Sequence, residues 1–197
     1  MQRTHELAHG AVLLAAGAST RLGRAKQLIE IDGEPLLRRA ARALLETSPH
    51  TLVVVLGHDA AAVGACIADL PLQRIVARDH AEGLAASLRA GVAALPADCD
   101  GALVALTDQP ALDGAHLRAL RDAWRATPAR ASASAYAGVL GVPALLPRAW
   151  FAGILQLRGD TGARALLRER ADDVIAIAAP ALARDLDTPG DLAREPS

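Results

Sequence analysis

The chain has 197 residues, 52% of them hydrophobic, enough to bury one good core and too few for two comfortable domains, so a single domain over residues 1–197 is expected. Its net charge is −1 and aromatic residues make up 2% of it, which leaves neither a basic footprint nor stacking platforms for a nucleic acid partner. Cys66 and Cys99 have no partner at metal-ligand spacing and no apolar run reaches the roughly 18 residues of a membrane helix, so zinc, disulfides and a membrane are set aside and a cytoplasmic protein is expected.

Taken in chain order, the first element is the apolar run "AVLLAA" (11–16). It leads into a loop of Gly, Arg and Lys rather than a leader-peptide cleavage site. A helix follows in "PLLRRAARALLE" (35–46), where Leu36, Leu37, Ala40, Leu44 and Leu45 form one apolar face and Arg38, Arg39 and Arg42 another. Strand-length runs recur at 51–57, 73–77, 101–107 and 172–178, and their lack of alternation predicts burial on both faces. Helical spacing fits 59–69, 82–94, 113–126 and 161–170. Strands alternating with helices predict a three-layer α/β fold with parallel pairing through right-handed crossovers. In such sheets ligands bind beyond the carboxyl ends of the strands, which places loops 16–28, 57–60, 78–83 and 107–112 on one rim.

The loop after the first run, "LLAAGASTRLGRAKQL", is not a dinucleotide fingerprint, because Gly17 and Gly23 lack the middle glycine. Nor is it a P-loop, since Arg24 follows Gly23 and Gln27 follows Lys26. A loop of this length can wrap a triphosphate, with Leu14, Ala15, Ala16, Gly17 and Ser19 near base and ribose and with Arg21 and Lys26 neutralising phosphates. Arg24 reads as solvated surface charge. Further along, "LTDQP" sets Asp108 just past a strand end, where a hard oxygen ligand suits Mg²⁺ bridging substrate phosphates. Asp187 in "DLDTPGDL" reads equally as a second oxygen ligand or as the cap of a helix opening at Thr188. His58, His80 and His116 could reach the rim, yet no nucleophile elbow accompanies them.

The pattern L-A-A-G-A-S-x-R-L-G-x-x-K, followed in order by "EGLAASLRAG", "LTDQP", "YAGVLGVPALLP", "LRGDTGARALL" and "DLDTPGDL", resembles the MobA/MocA-like nucleotidyltransferases, in the molybdopterin cytidylyltransferase branch. The resemblance implies a Rossmann-like nucleotide-diphospho-sugar transferase fold with a mostly parallel sheet. It also implies transfer of CMP from CTP to a molybdopterin acceptor, with Ala16 favouring CTP over GTP, Mg²⁺ as cofactor and a molybdoenzyme as eventual receiver. Arg21, Lys26 and Asp108 would be catalytic, and Gly57 and Ser87 would join the nucleotide side. On the acceptor side stand Gly141, Asp160 and Thr161, the last two as an anion seat at a helix start. The chain departs from relatives in carrying Val142 before the proline, where His or Asn is common, and Arg78 and Asp79 where an Asn is common. Two rival readings are a nucleotidyltransferase with a sugar or polyol phosphate acceptor, and a non-catalytic chaperone for the molybdenum cofactor.

Overall fold

The computed structural model describes residues 6–17, 25–57 and 59–183. Its seven-stranded sheet contains β1 (His9–Ala15), β4 (Leu52–Leu56), β5 (Gln73–Val76), β6 (Gly101–Leu106), β7 (Ala131–Tyr136), β8 (Val139–Pro147) and β9 (Val174–Ala178), in the order β5-β4-β1-β6-β8-β7-β9. A small hairpin, β2 (Glu30–Ile31) and β3 (Glu34–Pro35), stands apart. The helices are α1 (Leu36–Leu45), α2 (Ala60–Ala65), α3 (Leu84–Ala93), α4 (Gly114–Ala126), α5 (Phe151–Ile154) and α6 (Ala163–Glu169).

Both sheet faces are covered, which explains the unbroken apolar runs. Ala11, Leu13 and Ala15 of β1 meet Leu37 and Leu44 of α1 and Leu117, Leu120 and Trp124 of α4 on one face. Val12 and Leu14 turn to the other, against Leu88 and Val92 of α3 and Leu166 and Leu167 of α6. Each fully buried Leu or Val contributes roughly 1.5–3 kcal/mol before conformational entropy is subtracted. The expectation of burial on both faces holds for β1, β4 and β6 and fails for β5 and β9. These two lie at the sheet edges, where the helical layers no longer cover them, and Val76 is 55% exposed.

Pairing is parallel except at β8, which runs against both β6 and β7. The β7–β8 hairpin carries its tip, Ala137 and Gly138, to the same end of the sheet as the carboxyl ends of β1 and β6. In the sequence, residues 136–147 read only as an acceptor motif and 131–135 as no element, so neither strand is foreseen.

At the opposite end His9 is buried, its Nε2 3.0 Å from Thr47 Oγ1. Thr47 already donates to the Leu44 carbonyl at 2.7 Å, so Nε2 carries the proton and Nδ1 is bare. Burial, helped by the charges of Arg125 and Arg121, pushes its pKa down to about 4. The unfolded chain therefore takes up a proton near pH 6.5 that the folded protein refuses until about pH 4, so stability falls as pH drops through that window. Denaturant unfolding should lose about 2 kcal/mol between pH 7 and 5, a loss that His9→Gln flattens. An equal slope in both proteins would remove His9 as the cause.

Candidate active site

A cleft of about 440 Å³ opens at the carboxyl ends of β1 and β6. Its lining includes Leu14, Ala15, Ala16 and Gly17 from the end of β1, Lys26 and Gln27 beyond the loop, and Leu106, Thr107 and Asp108 from β6. Gly83, Leu84 and Ser87 from the start of α3 and Asp160 from the loop before α6 close the far wall. Lys26, beyond the mouth of the first strand, and Asp108 of "LTDQP", 82 residues apart, thus meet in one place.

They meet through charge. Lys26 Nζ lies 2.6 Å from Asp108 Oδ2, each side chain 17% exposed. Lys26 opens a single 3-10 turn, Lys26–Leu28, whose exit is pinned by the Leu36 amide donating to the Ile29 carbonyl at 2.8 Å and by packing of Ile29 on Leu36. Asp108 follows Thr107, whose buried hydroxyl donates to the Leu14 carbonyl at 3.0 Å and ties β6 to β1. Asp108 Oδ1 is buried with no hydrogen-bond partner among the described residues.

That orphaned oxygen is the test for a divalent cation. A buried carboxylate oxygen without a donor is costly, and a hard cation relieves the cost. Mg²⁺ or Mn²⁺ needs only one or two carboxylates when phosphates and water complete its shell, so Asp108 fits. Asp187, Arg21, Ser19 and His58 lie outside the described residues.

Gly83 shapes the far wall. Its φ of +111° excludes ordinary side chains, and a methyl there would fall on the Gly159 carbonyl and the Asp160 carboxylate. The Ala85 amide then donates to the Gly159 carbonyl at 3.0 Å, docking the start of α3 on the loop that carries Asp160. Ser87, 4% exposed, sits on the cleft wall one turn further.

Other expected residues fall elsewhere. Gly57 does not line the cleft; a methyl there would strike the carbonyl and Cα of Ala16, so its missing side chain lets the end of β4 pass close to Ala16. Gly141 is likewise outside the lining, its missing side chain leaving room for the Tyr136 hydroxyl, and Thr161 stands beside Asp160 without reaching the lining. Arg78 and Asp79 border a separate groove with Val76, Ala86 and Arg89. His116 Nε2 lies 2.8 Å from Ser134 Oγ, which itself donates to the Pro143 carbonyl at 2.7 Å. Imidazole therefore donates to the hydroxyl, the reverse of nucleophile activation, and burial lowers its pKa. The sequence gives no signal for Gln27 or Thr107, although each lies within a quoted motif.

Residues 11–174 match the model of the MobA-like NTP transferase domain. The chain belongs to that family of nucleotidyltransferases. It is 36% identical over 189 residues to the nicotine blue oxidoreductase of Paenarthrobacter nicotinovorans, covering 90% of this chain and 91% of the relative. Among solved structures, Rv0371c from Mycobacterium tuberculosis superposes with a TM-score of 0.84 at 31% identity over 95% of this chain and 96% of its own. A manganese complex of Rv0371c superposes at 0.79, with 28% identity over 95% and 97%. CMP:2-keto-3-deoxy-manno-octonic acid synthetase complexed with CTP, at 14% identity, a TM-score of 0.77 and 95% and 96% coverage, shares the fold alone. The Rossmann-like architecture expected from the sequence is the one observed. No helix of the described residues is long and apolar enough to cross a membrane.

Proposed function

We propose that the protein transfers CMP from CTP to a molybdopterin-type phosphate monoester, releasing pyrophosphate, with a divalent cation, Mg²⁺ or Mn²⁺, held by Asp108. The observation that carries this reading is the Lys26–Asp108 pair in a cleft at the strand ends, a cation and a carboxylate with no activated nucleophile beside them among the described residues. In the reaction an acceptor phosphate oxygen bonds to the α-phosphorus of the triphosphate, and the bond to the pyrophosphate oxygen breaks. The acceptor is already ionised, so positioning and charge stabilisation suffice and no strong protein base is needed. Lys26, with Arg21 from the loop, offsets charge on the leaving pyrophosphate and the α-phosphate. A divalent cation, when bound, supplies further charge stabilisation on the phosphates. Leu14 to Gly17 and Ser87 form the wall for base and ribose, and Asp160 marks the acceptor side. The product would pass to a molybdoenzyme in the cytoplasm.

The test is pyrophosphate release from CTP and from GTP with molybdopterin, with Mg²⁺, with Mn²⁺ and with neither. Release that needs metal and prefers CTP supports the reading; preference for GTP reassigns the base, and release only with a sugar or polyol phosphate reassigns the acceptor. Binding of the pterin without release makes the protein a chaperone. The extended identity to an oxidoreductase favours one further reading, redox use of the same cleft. It requires consumption of an added reductant with no pyrophosphate formed.

A further inference from the structure

Each charged partner of the cleft is followed immediately in sequence by a buried glutamine, Lys26 by Gln27 and Asp108 by Gln109, at 2% and 3% exposure. Burying a primary amide is costly unless its donors are used, and an aliphatic side chain would fill either position more cheaply. The Gln27 Nε2 amide donates to the carbonyls of Ala15 and Gly17, both at 2.8 Å, so it grips the backbone on each side of Ala16. Both partners are obligate acceptors, which fixes which end of the amide faces them. Gln109 Nε2 donates to the Val142 carbonyl at 3.1 Å and approaches the Tyr136 hydroxyl at 3.4 Å, and that hydroxyl donates to the same carbonyl at 2.9 Å.

We infer that Gln27 and Gln109 are positioning residues for opposite halves of the site: Gln27 for the nucleotide-facing backbone, Gln109 for the metal carboxylate against the β7–β8 hairpin. The inference rests on the nucleotidyl-transfer reading of the cleft. Gln27 serves that chemistry in a second way. Carbonyl oxygens at a triphosphate site repel the ligand, and a donor that occupies two of them removes the repulsion while leaving Lys26 on the next residue to meet the phosphates. Gln109 has a different reach, because the segment that receives its amide carries Gly141 and Val142, and Arg164 of α6 approaches the same Tyr136 hydroxyl at 3.5 Å. A shift in that hairpin is therefore passed to Asp108.

The two roles separate in binding experiments on the full chain, with Mn²⁺ alone and with CTP or GTP in the presence of Mn²⁺ as probes. Gln27→Met should weaken nucleotide binding by about tenfold or more while changing the affinity for Mn²⁺ alone by less than about twofold. Gln109→Met should instead weaken the affinity for Mn²⁺ alone by about fivefold or more. Gln27→Asn and Gln109→Asn keep the amide one methylene short and carry the same comparison if the methionine variants do not fold. Variants that melt at lower temperature with both affinities unchanged would overturn the inference, since the glutamines would then be packing alone. If the unsubstituted protein binds Mn²⁺ but neither nucleotide, the functional reading falls and Gln27 with it, while the Mn²⁺ measurement still decides Gln109.

Discussion

Asp108→Asn is expected to lower nucleotidyl transfer by about 10³-fold, or about 4 kcal/mol, with the fold intact. The change is isosteric, so the turn after β6 and the Thr107 tie to Leu14 persist. What is lost is the negative charge in contact with Lys26 and the buried oxygen that no described donor satisfies. An amide oxygen is a weak ligand for a hard cation, and raising the Mg²⁺ concentration should recover only a small part of the rate. The measurement is pyrophosphate release at saturating CTP across a metal series, beside a melting curve. A loss below tenfold at unchanged stability would place the metal ligand elsewhere.

Lys26→Ala should cost about 3 kcal/mol of transition-state stabilisation, roughly 10²-fold in turnover. Its second effect has the opposite sign. The Lys26 ammonium, 2.6 Å from Oδ2, competes for the charge of the carboxylate whose Oδ1 would hold a divalent cation, so removing the lysine should tighten binding of Mn²⁺ to the nucleotide-free protein. Calorimetric titration with Mn²⁺ and the turnover assay, run on one preparation, read both effects. Looser metal binding together with slower turnover would mean that Lys26 supports Asp108 rather than competing for it.

What was legible in the sequence was whatever carries a strong local signal. The helix at Leu36–Leu45 shows its apolar face by spacing, and β1, β4 and β6 show unbroken runs because both faces are covered. β7 is "ASASAY", whose small residues give no apolar run; Ser132 and Ser134 are tolerated in the core because their hydroxyls donate to the carbonyls of Leu120 and Pro143. Hydroxyl groups satisfied by distant carbonyls leave no trace in periodicity. In the site, Lys26 and Asp108 were legible because charge beside a buried strand is conspicuous. Gln27 was not, since its partners are backbone atoms whose proximity only the folded loop reveals. Gly57 and Gly141 looked like ligand-facing glycines and instead make room for Ala16 and Tyr136.

The reversed strand β8 divides the sheet into two districts with different freedom to vary. From β5 to β6 every neighbour is parallel, so each rim loop there is bound to a crossover helix and cannot change length without moving a layer. Beyond β6 the rim is supplied by a two-stranded excursion, Ala131 to Pro147, closed by a tight turn at Ala137 and Gly138. The turn of such an excursion can be lengthened or shortened while the stretches paired with β6 and β9, and the Gln109 contact to Val142 behind Asp108, stay in place. Variation on this architecture is therefore expected at that turn, with Lys26 and Asp108 left as they stand.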